Sequence, residues 1–240
     1  MVANSHWLAE IAGRSPIAKA CGGVRVIPPG IDTTVFTPQD RNRCRKHLDL
    51  PADAFVIVTG GASLTDANKN VPWLLEQLSA LPDLDGIIIL AFGGGAVPVP
   101  QGLNVRFTGG IRERRDLARL FAAADGFVSA SLMETYGLTL VEAMACGTPA
   151  VAFRVGGIPE AAPDGQGAIL CAAQDGTGLV EAITKLRNSP QLCDRLGTIA
   201  QETAHSRNSA SSFSKKFVQL YRECVSTREN TERKHPALTT

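Results

Sequence analysis

The apolar residues of this chain fall into short continuous runs, and the segments between the runs alternate apolar and polar residues with a helical period. The run at residues 87–92 has no polar position, which is typical of a strand buried in a parallel sheet. Strands that alternate with helices predict an α/β fold with a doubly wound parallel sheet. We predict strands at residues 24–27, 55–59, 87–92, 104–108, 127–128 and 168–171, and helices at 6–20, 38–48, 71–81, 113–124, 179–187, 190–205 and 213–223.

The segment at residues 124–160 carries the densest candidate chemistry. Its acidic residues Glu134 and Glu142 are separated by seven residues, and it reads as strand, loop, helix, Gly-Thr-Pro and strand. Thr139 is predicted to cap the helix, with Glu142 at the third position of a capping box. Free N–H groups at such a helix start attract phosphate, and the carboxylates can accept hydrogen bonds from hydroxyl groups. The pattern indicates a nucleotide sugar; the alternative is that Glu142 only completes the cap and Glu134 is a solvated loop acid.

The whole segment resembles the donor-site signature of glycosyltransferase family 4, whose members are retaining enzymes of the GT-B fold. The family pattern joins Pro-Ser, Glu-x-Phe/Tyr-Gly-Leu, Glu-Ala-Met-Ala-Cys-Gly-Thr-Pro-Val and Gly-Gly-x-Pro-Glu. This chain matches it nearly throughout, with Ala130-Ser131 in place of Pro-Ser. The resemblance implies a Rossmann-like sheet that forms the C-terminal half of a GT-B enzyme. The stretch Gly-Ala-Ser-Leu-Thr-Asp-x-x-Lys, at residues 61–69, is similar to family members that build bacterial exopolysaccharides or lipopolysaccharides.

The resemblance also implies roles for individual residues. Glu142 would hold the ribose hydroxyls, Glu134 would face the sugar ring, and Lys69 would neutralise the diphosphate as it leaves. The family's Arg in Gly-Arg-Leu is missing here, so Lys69 and the neighbouring backbone must carry more of the diphosphate charge. Backbone and hydroxyl groups that would meet the sugar and phosphate belong to Tyr136, Gly137, Leu138 and Thr139.

Two glycine-rich turns complete the implied site. Residues 59–63 are predicted to form a flexible loop after a strand, in which Gly61 and Ala62 let the backbone approach the phosphates. Gly110 and Ile111 follow another strand, and the resemblance places them at the nucleotide base. Each turn is also compatible with an ordinary connection, because glycine clusters are common in turns.

Composition and charge narrow the choice of function. The chain has 240 residues, of which 44% are hydrophobic and 20% charged, and a net charge of +1 gives no electrostatic case for a nucleic-acid partner. No apolar run reaches the roughly 20 residues of a membrane span. The six scattered cysteines are typical of a reduced cytoplasmic protein, and the four histidines show no metal-ligand spacing. We therefore expect no metal and no cofactor apart from the donor, in a cytoplasmic protein whose full-length form could sit at the inner face of the membrane.

The resemblance divides the chain into four parts. Residues 1–23 would be the remnant of a preceding acceptor domain, 24–208 the nucleotide-sugar donor domain, 209–225 a crossing helix, and 226–240 a disordered tail. The implied activity is transfer of a hexose-type sugar from a UDP- or GDP-sugar to a carbohydrate or lipid-linked hydroxyl acceptor, in polysaccharide or glycoconjugate synthesis. We expect weak activity or none from these residues alone, and self-association through an exposed first helix. The alternatives are a non-catalytic nucleotide-sugar binding domain and a sugar-nucleotide epimerase.

Overall fold

The computed structural model describes residues 1–234, with side chains described through residue 226, and confirms the predicted α/β class. The described part contains eight strands and ten helices. The strands are β1 (Val2–Ala3), β2 (Arg25–Val26), β3 (Phe55–Ser63), β4 (Ile87–Gly94), β5 (Val105–Gly109), β6 (Gly126–Ser129), β7 (Ala150–Phe153) and β8 (Ala168–Cys171). The helices are α1 (His6–Gly13), α2 (Pro16–Ala20), α3 (Arg41–His47), α4 (Val71–Leu78), α5 (Arg114–Ala123), α6 (Leu138–Ala145), α7 (Ile158–Ala161), α8 (Gly176–Asn188), α9 (Pro190–Asn208) and α10 (Ala210–Lys234).

Six strands form one parallel sheet in the order β5-β4-β3-β6-β7-β8, as the doubly wound prediction requires. The chain runs outward from β3 to β5, then returns to the middle and runs from β6 to β8. The direction of winding therefore reverses between β3 and β6. In open α/β sheets a ligand binds at such a reversal, outside the carboxyl ends of the strands.

Both faces of the sheet are covered, which explains the continuous apolar runs. Val56 and Val58 of β3 belong to one core, which also contains side chains of α3, α5 and α6. Ile57 lies between them in sequence and belongs to the other core, with side chains of α4 and α8. Successive strand residues point to opposite faces. A strand that is buried on both faces is therefore apolar at nearly every position.

An internal ion pair closes the opposite, amino-terminal edge of the sheet. The Arg45 guanidinium lies 2.6 Å from a carboxylate oxygen of Asp125, and the two side chains are 5% and 13% exposed. The same Asp125 oxygen accepts a hydrogen bond of 2.7 Å from the Val56 amide. This network holds α3 to the start of β3 and of β6, away from the edge where a ligand would bind.

Three predicted segments differ from the structure. Residues 59–63 are not a flexible loop, because β3 continues to Ser63 with a register shift after Gly60 and pairs with the extended β4. The first helix is broken into α1 and α2, since Ser15 caps a new helix that begins at Pro16. Residues 226–234, predicted as part of a tail, continue α10, and residues 235–240 lie outside the described residues. The predicted domain boundaries stay predictions.

Candidate functional site

Two loops meet at the reversal point between β3 and β6, and hydrogen bonds hold them together. The Asn68 side-chain amide donates to the Met133 carbonyl oxygen at 2.8 Å, and the Leu132 amide donates to the Asn68 carbonyl oxygen at 2.8 Å. The loop after β3 and the loop after β6 therefore form one surface, although they are more than 60 residues apart in sequence.

An ion pair between Lys69 and Glu134 lies on this surface. Lys69 Nζ lies 2.5 Å from Glu134 Oε1, and the side chains are 24% and 16% exposed. Gly61 packs beside the lysine, because a Cβ at this position would stand 3.3 Å from Lys69 Cε. Ala62 is exposed at the end of the same strand. The structure thus brings Lys69, Glu134 and Gly61 together.

Helix α6 begins next to this pair, but the predicted capping box is wrong. Its N-cap is Gly137, in the left-handed region with φ of +90°, and no side chain caps the helix. Thr139 is the second helical residue and Glu142 the fifth, so neither occupies a capping position. A side chain at position 137 would collide with Ile158, since a Cβ there would stand 2.5 Å from Ile158 Cδ1. The first-turn N–H groups are therefore free to bind an anion.

Glu142 is a half-buried carboxylate without a protein partner. No hydrogen bond or ion pair reaches its side chain from the described residues. Burial raises the pKa of Glu142 to about 7, and the charge of Arg114 opposes that rise. A half-buried carboxylate without protein donors can accept hydrogen bonds from a ligand.

The remaining predicted residues occupy different environments. Gly110 is exposed after β5, with open space around its α-carbon, while Ile111 packs against the core. Leu138 is 44% exposed, which leaves an apolar side chain at the start of α6. Because β3, β5 and β6 are parallel, their following loops share one edge of the sheet.

Tyr136, one of the predicted site residues, has its hydroxyl bonded inside the protein. Tyr136 is 3% exposed, and its hydroxyl accepts a hydrogen bond of 2.8 Å from the Asn208 side-chain amide, at the junction of α9 and α10. Burial raises the pKa of Tyr136. The aromatic ring is a core residue that holds the loop, so only its backbone can contribute to the site.

Sequence reasoning missed the support for the Glu134 loop. The Gly157 amide donates to the Glu134 carbonyl oxygen at 2.8 Å. A Cβ on Gly157 would stand 2.2 Å from the Thr135 carbonyl oxygen, so the two segments touch through their backbones. The Gly-Gly-x-Pro-Glu part of the signature could have indicated such a support. The sequence alone did not show which loop this segment contacts.

The described residues contain neither a cluster of metal ligands nor a helix that could span a membrane. Among residues 1–226, whose side chains are described, no group of three or more His, Cys, Asp or Glu side chains is arranged to hold a metal ion. Within residues 1–234, no helix combines the length and apolar character that crossing a bilayer requires.

Several solved structures share this fold. Sucrose-phosphate synthase from Thermosynechococcus elongatus matches with a TM-score of 0.82 and 28% identity, over 94% of this chain and 58% of that one. Anabaena HepE in complex with UDP-glucose matches with a TM-score of 0.77 and 22% identity, over 92% and 63%. The C-terminal domain of a glycosyl transferase group 1 family protein from Francisella tularensis matches with a TM-score of 0.63 and 17% identity, over 75% of this chain and 100% of that domain. The predicted C-terminal GT-B fold is confirmed.

Sequence comparison gives the family. A D-inositol 3-phosphate glycosyltransferase from Stackebrandtia nassauensis is 32% identical over 230 residues, which cover 89% of this chain and 52% of that protein. This chain thus spans about half the length of that curated relative. Residues 54–189, more than half of the chain, match the family described as Glycosyl transferases group 1. The chain therefore belongs to the group 1 glycosyl transferases.

Proposed function

We propose that residues 54–189 form the donor site of a retaining glycosyltransferase that uses a nucleoside diphosphate sugar. The observation that carries this proposal is the Lys69–Glu134 pair at the reversal point of the sheet, next to the uncapped start of α6. A cation and free backbone N–H groups attract a diphosphate, and a carboxylate beside them accepts hydrogen bonds from sugar hydroxyls. HepE, of the same fold, is described in complex with UDP-glucose, which supports a UDP-sugar as the first donor to test.

The ribose is assigned to Glu142. Its carboxylate lacks a protein partner, and it is subject to the charge of Arg114, the first residue of the helix that follows Gly110 and Ile111. A nucleotide whose base lies on the Gly110 loop and whose diphosphate lies on α6 would place its ribose between them. Two vicinal hydroxyls would then supply the donors that Glu142 lacks.

Transfer forms a bond between the acceptor oxygen and the anomeric carbon and breaks the bond from that carbon to the diphosphate oxygen. The acceptor proton passes to the leaving diphosphate, so no side chain has to act as a covalent nucleophile. Lys69 and the N–H groups of α6 stabilise the negative charge that grows on the diphosphate. Glu134, released from Lys69 when the diphosphate binds, faces the sugar ring. The acceptor is a carbohydrate or lipid-linked hydroxyl.

Lys69→Met tests this assignment by calorimetry with uridine, UDP, GDP and UDP-glucose. Losing a charge-assisted contact should weaken UDP binding by about 1.5–3 kcal/mol and leave uridine binding unchanged. Lys185→Met, an exposed lysine on α8, is the matched control and should behave as the wild type. If the wild type binds no nucleoside diphosphate at millimolar concentration, the donor-site assignment is wrong.

Product assays with UDP-glucose, with and without acceptors, separate the two alternatives. A binding module would hold UDP-glucose and release no UDP when an acceptor panel is added. An epimerase would change the sugar of UDP-glucose with no acceptor present. A transferase releases UDP only when a suitable hydroxyl acceptor is supplied.

A further inference from the structure

Glu160 lies within residues 54–189 but has no assigned contact with the donor, and it connects the proposed site to the start of α1. Its two carboxylate oxygens accept hydrogen bonds from consecutive amides, His6 N at 2.7 Å and Trp7 N at 2.8 Å. Ser5 Oγ accepts the next amide, Leu8 N, at 3.1 Å. Three backbone donors that a helix start leaves free are thus satisfied, two of them by a residue about 150 positions away. We call these two long-range hydrogen bonds the Glu160 clamp.

The other end of the clamp is the backbone of Glu134. Glu160 lies in α7, and its amide donates to the Gly157 carbonyl oxygen at 3.1 Å. The Gly157 amide in turn donates to the Glu134 carbonyl oxygen at 2.8 Å. A movement of α1 can therefore reach Glu134, which pairs with Lys69, through a short chain of hydrogen bonds.

A second contact joins the same two segments independently. The Asn4 side-chain amide donates to Thr135 Oγ1 at 3.0 Å, while its carbonyl oxygen is buried without a hydrogen-bond partner. A buried acceptor without a donor costs stability, so the fold gains little from holding Asn4 in this place. The contact is better explained by the position it gives to Thr135, the neighbour of Glu134.

We propose that Glu160 is a positioning residue that couples the start of α1 to the Glu134 loop, so that binding of the donor sugar and the order of residues 5–8 are linked. The inference rests on the proposed function, because it assumes that Glu134 faces the sugar. Coupling of this kind is reciprocal: a ligand that fixes Glu134 must tighten the clamp, and loosening the clamp must weaken that ligand.

Hydrogen exchange on the 240-residue chain tests the first half of this reciprocity. Saturating UDP-glucose should slow exchange of the His6 and Trp7 amides roughly fivefold or more beyond the effect of UDP. The measurement needs no variant, so it does not depend on whether a substitution folds. Equal exchange at these two amides with UDP and with UDP-glucose would overturn the inference.

Glu160→Gln tests the second half, because one clamp oxygen is replaced by an amide group that cannot accept. The variant should bind UDP within about twofold of the wild type, while its preference for UDP-glucose over UDP falls roughly fivefold. Glu160→Asp, which keeps the charge, should retain part of that preference. The matched control is Asp175→Asn, since Asp175 accepts from Gly178 N at 2.9 Å at the start of α8.

The outcomes separate the two proposals. Loss of thermal stability in Glu160→Gln with unchanged sugar preference, as expected of Asp175→Asn, shows a purely structural cap and overturns the inference alone. A wild-type chain that binds no nucleoside diphosphate or nucleotide sugar overturns the proposed function and this inference with it.

Discussion

Gly156 packs directly against the backbone of Glu134: a Cβ at position 156 would stand 1.9 Å from the Glu134 carbonyl oxygen. Gly156 also has a φ of +54°, in the region that L side chains rarely adopt. The backbone of Glu134, whose carboxylate pairs with Lys69, therefore packs against a position that tolerates no side chain. The glycines of this segment thus allow the close backbone contact that fixes where Glu134 lies.

Gly156→Ala should both destabilise the protein and disturb the site. The left-handed conformation alone costs an alanine about 1–2 kcal/mol. The collision with Glu134 adds about 1–3 kcal/mol, because neighbouring backbone has to move. Chemical denaturation measures the sum. Gly165→Ala is the control, since Gly165 has a φ of +76° and nothing within 4 Å, so an equal loss for both variants would contradict the packing role.

The two glutamates of the site should fail in different ways. Glu142→Ala should weaken UDP binding by about 1.5–3 kcal/mol, because it removes a charge-assisted contact to the ribose. Glu134→Ala should change UDP affinity less and reduce the preference for one UDP-sugar over another. Calorimetry with UDP and two UDP-sugars measures both effects, with thermal stability recorded alongside. Glu181→Ala, an exposed glutamate of α8, is the control, and equal UDP affinity for wild type and Glu142→Ala would refute the ribose assignment.

Glu142 should give the stability of the empty protein a pH dependence of definite sign. Its pKa is raised from 4.5 to about 7 in the folded state, so between these values the folded chain holds a proton that the unfolded chain has lost. The free energy of unfolding therefore falls as pH rises from 4.5 toward 7. Urea denaturation of wild type and Glu142→Gln across this window should show that part of the slope only in the wild type. Parallel curves would contradict the raised pKa.

Tyr136→Phe should affect stability and leave nucleotide binding unchanged. The hydroxyl bonds to the Asn208 side chain inside the protein, so its removal should cost about 1 kcal/mol. UDP affinity should stay within twofold of the wild type by calorimetry, as an order-of-magnitude bound on indirect effects. Tyr221→Phe is the control, since Tyr221 is 62% exposed. A large loss of UDP affinity in Tyr136→Phe would show that the hydroxyl does reach the ligand.

Most of the sheet could be predicted from the sequence because burial on both faces leaves a local signal. Strands β3 to β6 and β8 lie where apolar runs occur, and helices lie between them. The errors have local causes as well: Ser15 and Pro16 start a second helix within one apolar segment, and the glycines after Thr59 continue a strand instead of ending it. Those glycines pair with β4, a partner that no local pattern specifies.

The candidate residues could be named from the sequence, but their geometry could not. The resemblance named Lys69, Glu134 and Glu142, and the structure pairs the first two. Thr139 and Glu142 have the spacing of a capping box, but Gly137 takes the cap because Ile158 occupies the space beside it. Asp125 forms an internal ion pair with Arg45 across 80 residues. Contacts of this range depend on the assembled fold and leave no mark in neighbouring sequence.

The sheet order has a mechanical consequence. Strands β3 to β5 come from one continuous stretch of chain and β6 to β8 from the next, and the two halves are paired through only two residue pairs between β3 and β6. By contrast, β3 and β4 are paired along nearly their whole length. A ligand held by Lys69 on one side and by α6 on the other would bridge the junction that has the fewest paired residues in the sheet. Donor binding should therefore oppose separation of the two halves of the sheet. The donor would then stabilise the fold as well as take part in the reaction.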